Sequence, residues 1–254
     1  MLTRRRLLIA TALAGLPAAA LASRPDRLLV AYHDQQDDLW HTDAAGATAG
    51  VATEILKEIV ERRAGLGLDY VGLPWLRAQD IVRTGTADAL FTIPTAARRE
   101  YLVFTPSPLV RYPLAIIYLA DGPATAALDR AATVDDLRHF CYIYDQFDTT
   151  QTARAQRFPA AEASPGDLPM MRQVAGGRGD FTVANLIRIR RALGARGLAG
   201  RLKARAFPAL GQVEHHFGLR RTYPDAACVI DRIEAAGVAA NAEGLIQAIL
   251  DQYM

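Results

Sequence analysis

GVATEILKEIVERRAGLGLDYVGLPWLRAQDIVRTGTADALFT, residues 50–92, is the stretch on which the fold turns. Val51, Ile55, Leu56, Ile59 and Val60 recur at helical spacing and predict an amphipathic helix that stops near Gly65. Leu68–Gly72 is a short apolar run of strand length, Leu76–Thr84 returns to a helical pattern, and Ala87–Phe91 is strand-like again. Just upstream, Leu28–Tyr32 is a further apolar run suited to a buried strand. Strands that alternate with helices in this way are joined by crossovers, which makes them parallel and lays the helices over the sheet in an α/β architecture.

Working outward toward the C-terminus, Leu114–Leu119 predicts a long apolar strand, closed by the turn Asp121-Gly122-Pro123. A second cycle follows: a helix over Val134–Arg138, a strand over Cys141–Tyr144, helices over Thr149–Phe158 and Leu168–Ala175, a strand over Phe181–Ala184 and a helix over Asn185–Leu193. The chain ends with a strand around His215–Leu219 and helices over Ala226–Ala236 and Gly244–Gln252. Neither an internal repeat nor a low-complexity linker interrupts the pattern, so two α/β lobes are expected to share one compact body.

Toward the N-terminus, Met1–Ala22 reads as a signal peptide: Arg4, Arg5 and Arg6, an apolar run from Leu7, and a small-residue end at Ala20-Leu21-Ala22. Thr3-Arg4-Arg5-Arg6-Leu7-Leu8 resembles the twin-arginine export pattern, which basic Sec signals also approach. No Cys follows Ala22, so a lipoprotein anchor is not expected. Without residues 1–22 the chain carries 26 basic and 27 acidic side chains, a near-neutral balance that argues against a nucleic-acid partner. A composition 51% hydrophobic and 22% charged excludes a disordered chain, and two cysteines are too few for a disulfide framework. Cys141 lies in a strand-like run and Cys228 in a helical pattern, so both are expected as buried thiols.

Five short motifs follow one another in register: Gly50-Val51-x-x-Glu54-Ile55-Leu56, Pro74-Trp75-Leu76-Arg77-Ala78, Gly85-x-x-Asp88-Ala89, Thr95-x-x-Arg98 and Phe104-Thr105-x-Ser107-Pro108. Gly177-Arg178-Gly179-Asp180 and a closing Gly244–Tyr253 helix complete the series. Together they resemble the periplasmic solute-binding proteins of the polar amino-acid family (extracellular solute-binding family 3), in a subgroup with a Pro-Trp-x-Arg-Ala block. The resemblance implies the two-lobed type 2 periplasmic-binding fold, each lobe a central sheet flanked by helices, with a two-strand hinge. Residues 27–113 plus 210–254 would form one lobe and residues 114–209 the other. It further implies a monomer without a cofactor that closes by hinge motion on a small carboxylate-bearing solute and hands it to the membrane component of an ABC importer.

The same resemblance assigns roles. Arg98, six residues before Phe104, would grip the ligand carboxylate; a planar fork suits that task better than lysine. Phe91 and Thr92 end the preceding strand beside it, at the end of an open sheet where ligands bind. Trp75, Arg77 and Trp40 are candidate pocket walls or contacts. Thr149 and Thr150, after Asp148, resemble the family's Gly-Thr-Thr turn, where a helix start meets the carboxylate; the plain alternative is that Asp148 or Thr149 caps its own helix. Asn185 stands where amino-acid binders of the family carry an aspartate for the α-ammonium. Either the ligand lacks that group or another acid, with Asp34 first by position, replaces it.

His33, Asp34, Asp37, Asp38, His41 and Asp43 form an acidic, histidine-bearing loop without regular metal-ligand spacing, and no metal is expected there. His215 and His216 are adjacent in a strand and so point to opposite faces. Arg178-Gly179-Asp180 reads as a turn. The alternatives to transport are a ligand sensor and a lyase of the cyclohexadienyl-dehydratase kind on the same fold. No Ser/His/Asp or Cys/His arrangement, phosphate loop or paired-carboxylate motif supports catalysis, so a non-enzyme is expected.

Overall fold

The computed structural model describes residues 27–34, 39–146, 148–187, 197–198 and 200–253. The expected signal peptide, Asp37 and Asp38, and the greater part of the expected helix Asn185–Leu193 lie outside these residues.

The decisive stretch folds as its periodicity requires. β1 (Arg27–His33), β4 (Gly67–Leu73) and β5 (Ala89–Thr92) are parallel, with β1 between the other two. Between them run α1 (Val51–Leu56), prolonged by a π-helical stretch Lys57–Arg63, and α2 (Trp75–Arg83). The wider π turn brings Glu58 and Arg63, five residues apart, to 2.9 Å, and Arg63 also reaches Glu243 near the C-terminus. A small ribbon, β2 (His41–Thr42) and β3 (Thr48–Ala49), leads into α1. The Gly85-x-x-Asp88 motif is structural: Gly85 takes φ 85°, and Asp88 is buried, accepting from the Leu29 amide at 2.9 Å and from Arg220 at 3.1 Å.

Two long antiparallel strands then carry the chain across. β7 (Val110–Leu119) pairs through Val110–Pro113 with Gln212–His215 of β12 (Gln212–Arg220). Beyond that short ladder each strand changes partners. β12 turns to β5 and β6 (Leu102–Phe104), whereas β7 turns to β10 (Phe181–Asn185) and β11 (Leu202–Ala206). Pro113, which has no N–H to give, stands where β7 leaves β12. The remaining half of the sheet adds β8 (Tyr142–Asp145) and β9 (Ala161–Ser164), parallel to each other and to β10 in the case of β8. Among the described residues the strand path runs β4-β1-β5-β12-β7-β10-β8-β9.

Helices cover both halves: α3 (Ala96–Arg99), α4 (Thr125–Arg130), α5 (Thr149–Ala155), α6 (Asp167–Ala175), α7 (Ala226–Ala242) and α8 (Leu245–Asp251). Two apolar clusters fill the faces of the first half and two those of the second. Ile187, just past β10, belongs to the same first-half apolar cluster as Val110 and Tyr112, so the halves share a core beside the crossing. No helix among the described residues is long and apolar enough to cross a membrane.

Several expectations are corrected. The strand expected at Leu114 begins at Val110, because its first residues pair with β12. β6, β9, β11 and α4 were not anticipated; each is short, with too few residues to establish a period. The helix expected at Val134–Arg138 is a single 3₁₀ turn, Asp135–Leu137, held by the Asp136 carboxylate on the amides of Ala132 and Thr133. Cys228 is exposed rather than buried, and Cys141 is half-buried; both are free thiols.

Candidate functional site

In the first half, the carboxyl ends of β1, β4 and β5 lie side by side, with His33 opposite Leu73 and Ala31 opposite Leu90. Pro74 follows β4 and starts α2, which places Trp75 at that edge. Thr95 caps the single turn of α3, its hydroxyl accepting from the Arg98 amide, and swings the Arg98 side chain back over the end of β5. There the guanidinium is held on three sides. Nε donates to Gln79 Oε1 at 3.0 Å, Nη1 donates to Thr92 Oγ1 at 3.1 Å and to the Ile93 carbonyl at 2.8 Å, and the group lies 4.8 Å from the Trp75 ring centroid. Nη2 has no hydrogen-bond partner among the described residues. Burial lowers the Arg98 pKa from its ordinary value, while Tyr101 and Asp148 act in the opposite direction. The result is an oriented cation with one edge available, suited to an anion.

The second half brings its own strand ends to the same crossing. Thr92 is opposite His216 on β12, and Asn185 is opposite Leu114 on β7, so both stand next to the β7–β12 ladder, one on each side. After β8 the chain enters α5, whose start is closed from within: Asp148 Oδ1 accepts from the amides of Thr150 at 2.8 Å and Gln151 at 3.1 Å. Gln151, buried, accepts from the Asp145 amide at 3.0 Å and ties α5 to β8. Asn185 is buried too, and its Oδ1 accepts from the Ile187 amide at 3.0 Å. Asp148 is near enough to Arg98 for its charge to favour that of the guanidinium, which links the two halves electrostatically.

No protein-family model matches the chain, and no curated protein sequence matches it. Solved structures do. The probable amino-acid ABC transporter extracellular-binding protein ytmK from Bacillus subtilis is 14% identical, with a TM-score of 0.71 over 90% of this chain and 97% of its own. The periplasmic VFT2 domain of Bordetella pertussis BvgS is 18% identical, with a TM-score of 0.69 over 90% and 94%. A histidine kinase sensor domain similar to periplasmic binding proteins is 19% identical, with a TM-score of 0.67 over 90% and 96%. The fold is that of a two-lobed periplasmic binding protein. Arg98 lies in the first sheet half and Asp148 and Asn185 in the second.

Within this periplasmic-binding fold the residues singled out from the sequence separate into two groups. Arg98, Trp75 and Thr92 form one contact network, and Phe91 lies beneath it, buried and edge-on to His215 at 5.4 Å. Trp40 stands apart: it is 2% exposed, stacked on Tyr32 at 4.8 Å and 5.8 Å from Tyr70 inside the first-lobe core. A tryptophan so enclosed packs the lobe instead of lining a cleft wall. Arg77 points outward from α2 and is exposed. Asp34 is exposed in the turn after β1, its amide donating to the Leu73 carbonyl. Thr150 is exposed beside Asp148; Thr149 opens α5, but its side chain is outside what is described.

Gln79 and the Ile93 carbonyl were not foreseen as partners of Arg98. Gln79 is four residues after Trp75, so one helical turn carries both to the same face of α2; that spacing is the signal that could have found it. His216 Nδ1 donates to the Thr105 carbonyl at 2.8 Å, while His215 packs between Phe91 and Tyr112 on the other face, as strand alternation requires. Among the described residues no group of three or more metal-ligating side chains comes together.

Proposed function

We propose that the chain is a periplasmic solute-binding protein that captures a small carboxylate-bearing solute, an amino acid or related organic acid, between its lobes. Arg98 carries the reading. A half-buried guanidinium positioned by Gln79, Thr92, Ile93 and Trp75, with one edge unspent, is costly unless it has an anion to meet. The lobes would be residues 27–113 plus 210–254 and residues 114–209, hinged at the β7–β12 ladder. Thr92, Phe91 and Trp75 support the Arg98 side, while Asp148, Thr150 and Asn185 face it from the second lobe. The protein would act as a non-catalytic monomer, exported by its N-terminal signal, and would deliver its solute to an ABC-type importer; the amino-acid binding protein ytmK among the structural neighbours supports that use of the fold.

The test is thermal unfolding of Ser23–Met254 against amino acids, 2-oxo and 2-hydroxy acids and aromatic carboxylates. At a hundred times its Kd, a true ligand adds about 2.7 kcal/mol, several degrees in Tm. Arg98→Ala should weaken that ligand by about 2–5 kcal/mol. Equal affinity in the variant removes Arg98 from the site, and turnover of the bound compound would make the protein an enzyme.

A further inference from the structure

The second lobe presents its polar groups in a definite order. At the start of α5 two of the free amides are already taken, because Asp148 Oδ1 accepts from Thr150 and Gln151. An incoming anion therefore meets a carboxylate there, with the Thr150 and Gln151 amides already spent. The other oxygen, Oδ2, has no hydrogen-bond partner among the described residues. At Asn185 the reverse holds. Its Oδ1 is spent on the Ile187 amide, which fixes the orientation of the side-chain amide and leaves Nδ2, a donor, without a partner among the described residues. Asn185 thus has nothing to offer an ammonium group, and Asp148 has nothing to offer a carboxylate.

The cap alone does not require an acid at position 148, since Asn, Ser and Thr cap helix starts about as well. What an acid adds is charge, on the lobe facing Arg98. A ligand that brings only negative charge would set a second carboxylate against Asp148 in a partly desolvated cleft, whereas a zwitterion matches both lobes.

We propose that Asp148 is the specificity-determining residue of the second lobe: it pairs with a positively charged nitrogen of a ligand whose carboxylate is held by Arg98, while Asn185 Nδ2 donates to an oxygen of the same ligand. The acid that compensates for Asn185 is then Asp148, not Asp34. This assignment rests on the reading of Arg98 as the carboxylate clamp.

Asp148→Asn keeps the cap and removes the charge, so it separates the two roles. The probes are L-amino acids, each beside its 2-oxo analogue, screened by thermal shift and followed by calorimetry on the pairs that bind. Wild type should bind at least one amino acid more tightly than its 2-oxo partner. Asp148→Asn should reduce that preference at least tenfold while leaving the Tm of the protein without added probe within a degree or two. An unchanged preference in Asp148→Asn, or a wild type that prefers the 2-oxo acid, overturns the proposal. If Arg98→Ala meanwhile abolishes binding, the carboxylate clamp survives that failure. If no pair binds wild type, or Arg98→Ala binds as wild type does, the clamp falls and the role of Asp148 falls with it.

Discussion

Arg98 and Arg99 are chemically identical neighbours with opposite fates, and the difference comes from one helical turn. Arg99 is exposed, lies 5.7 Å from the Phe104 ring and lends its carbonyl to Arg221. Arg98, a hundred degrees around the same turn, is directed over the end of β5, where Gln79, Thr92 and Ile93 consume three of its donor directions. Lysine cannot reproduce this. Its single nitrogen has no fork to bridge Gln79 and Thr92 while also facing outward, and it lacks the planar surface that stacks on Trp75. Arg98→Lys should therefore lose most of the affinity that Arg98→Ala loses, rather than recover half of it. Calorimetry of the two variants against the same bound probe decides this; near-wild-type affinity in the lysine variant would mean that charge alone holds the ligand.

At the scale of elements, Asp88 does for the first lobe what no apolar contact does. It joins three strands at one buried point, accepting from the Leu29 amide on β1 and from Arg220 on β12 from its place just before β5. Asp88→Ala leaves the half-buried Arg220 and the Leu29 amide without their shared acceptor, a loss of about 1–3 kcal/mol. Asp88→Asn still accepts from Leu29 and should lose less. Urea unfolding of both variants measures the difference, and a loss under 1 kcal/mol in the alanine variant would reduce the cluster to a surface ion pair.

The parallel elements of this lobe were legible because β1 and β5 are short apolar runs buried in the sheet, and because Val51, Ile55, Leu56, Ile59 and Val60 all fall on the buried side of the first helix even though it widens into a π turn. Of the proposed site, Arg98 and Asn185 stand out in the sequence as residue types, whereas Asp148 reads there only as a helix cap. The orientation of these side chains was not legible. Whether Asp148 caps its helix or leaves the amides open depends on a side-chain rotamer that spacing does not specify, and Trp40, expected as a pocket wall, is enclosed by Tyr32 and Tyr70. Gly218 illustrates the same limit from the packing side: a Cβ there would come 2.5 Å from the Phe104 ring, a closeness that belongs to the β6–β12 pairing alone.

Across the whole molecule, the acid sensitivity of the fold follows from carboxylates paired outside the cleft. In the first lobe Glu58 is lowered by Arg63 and Arg62, and Glu243 by Arg63. In the second, Asp129 is lowered by Lys203 and then Tyr118, and Asp136 by the amides of Ala132 and Thr133. Because each pKa is lower in the folded protein, the unfolded chain takes up protons first as pH falls. Their contribution is therefore complete above the ordinary values of 3.8 and 4.5 and is lost as pH drops through the lowered ones. The groups lie at the surface, so each effect is small and screened by salt. Since both lobes hold such groups, they should weaken together: Tm followed by circular dichroism should stay nearly level from pH 7 to about 5 and fall progressively below about 4.5, with a shallower fall in high salt for Glu58 and Glu243, whose partners are arginines, than for the backbone-held Asp136. A Tm that declines already between pH 7 and 5 would show that these carboxylates do not set the acid sensitivity of the fold.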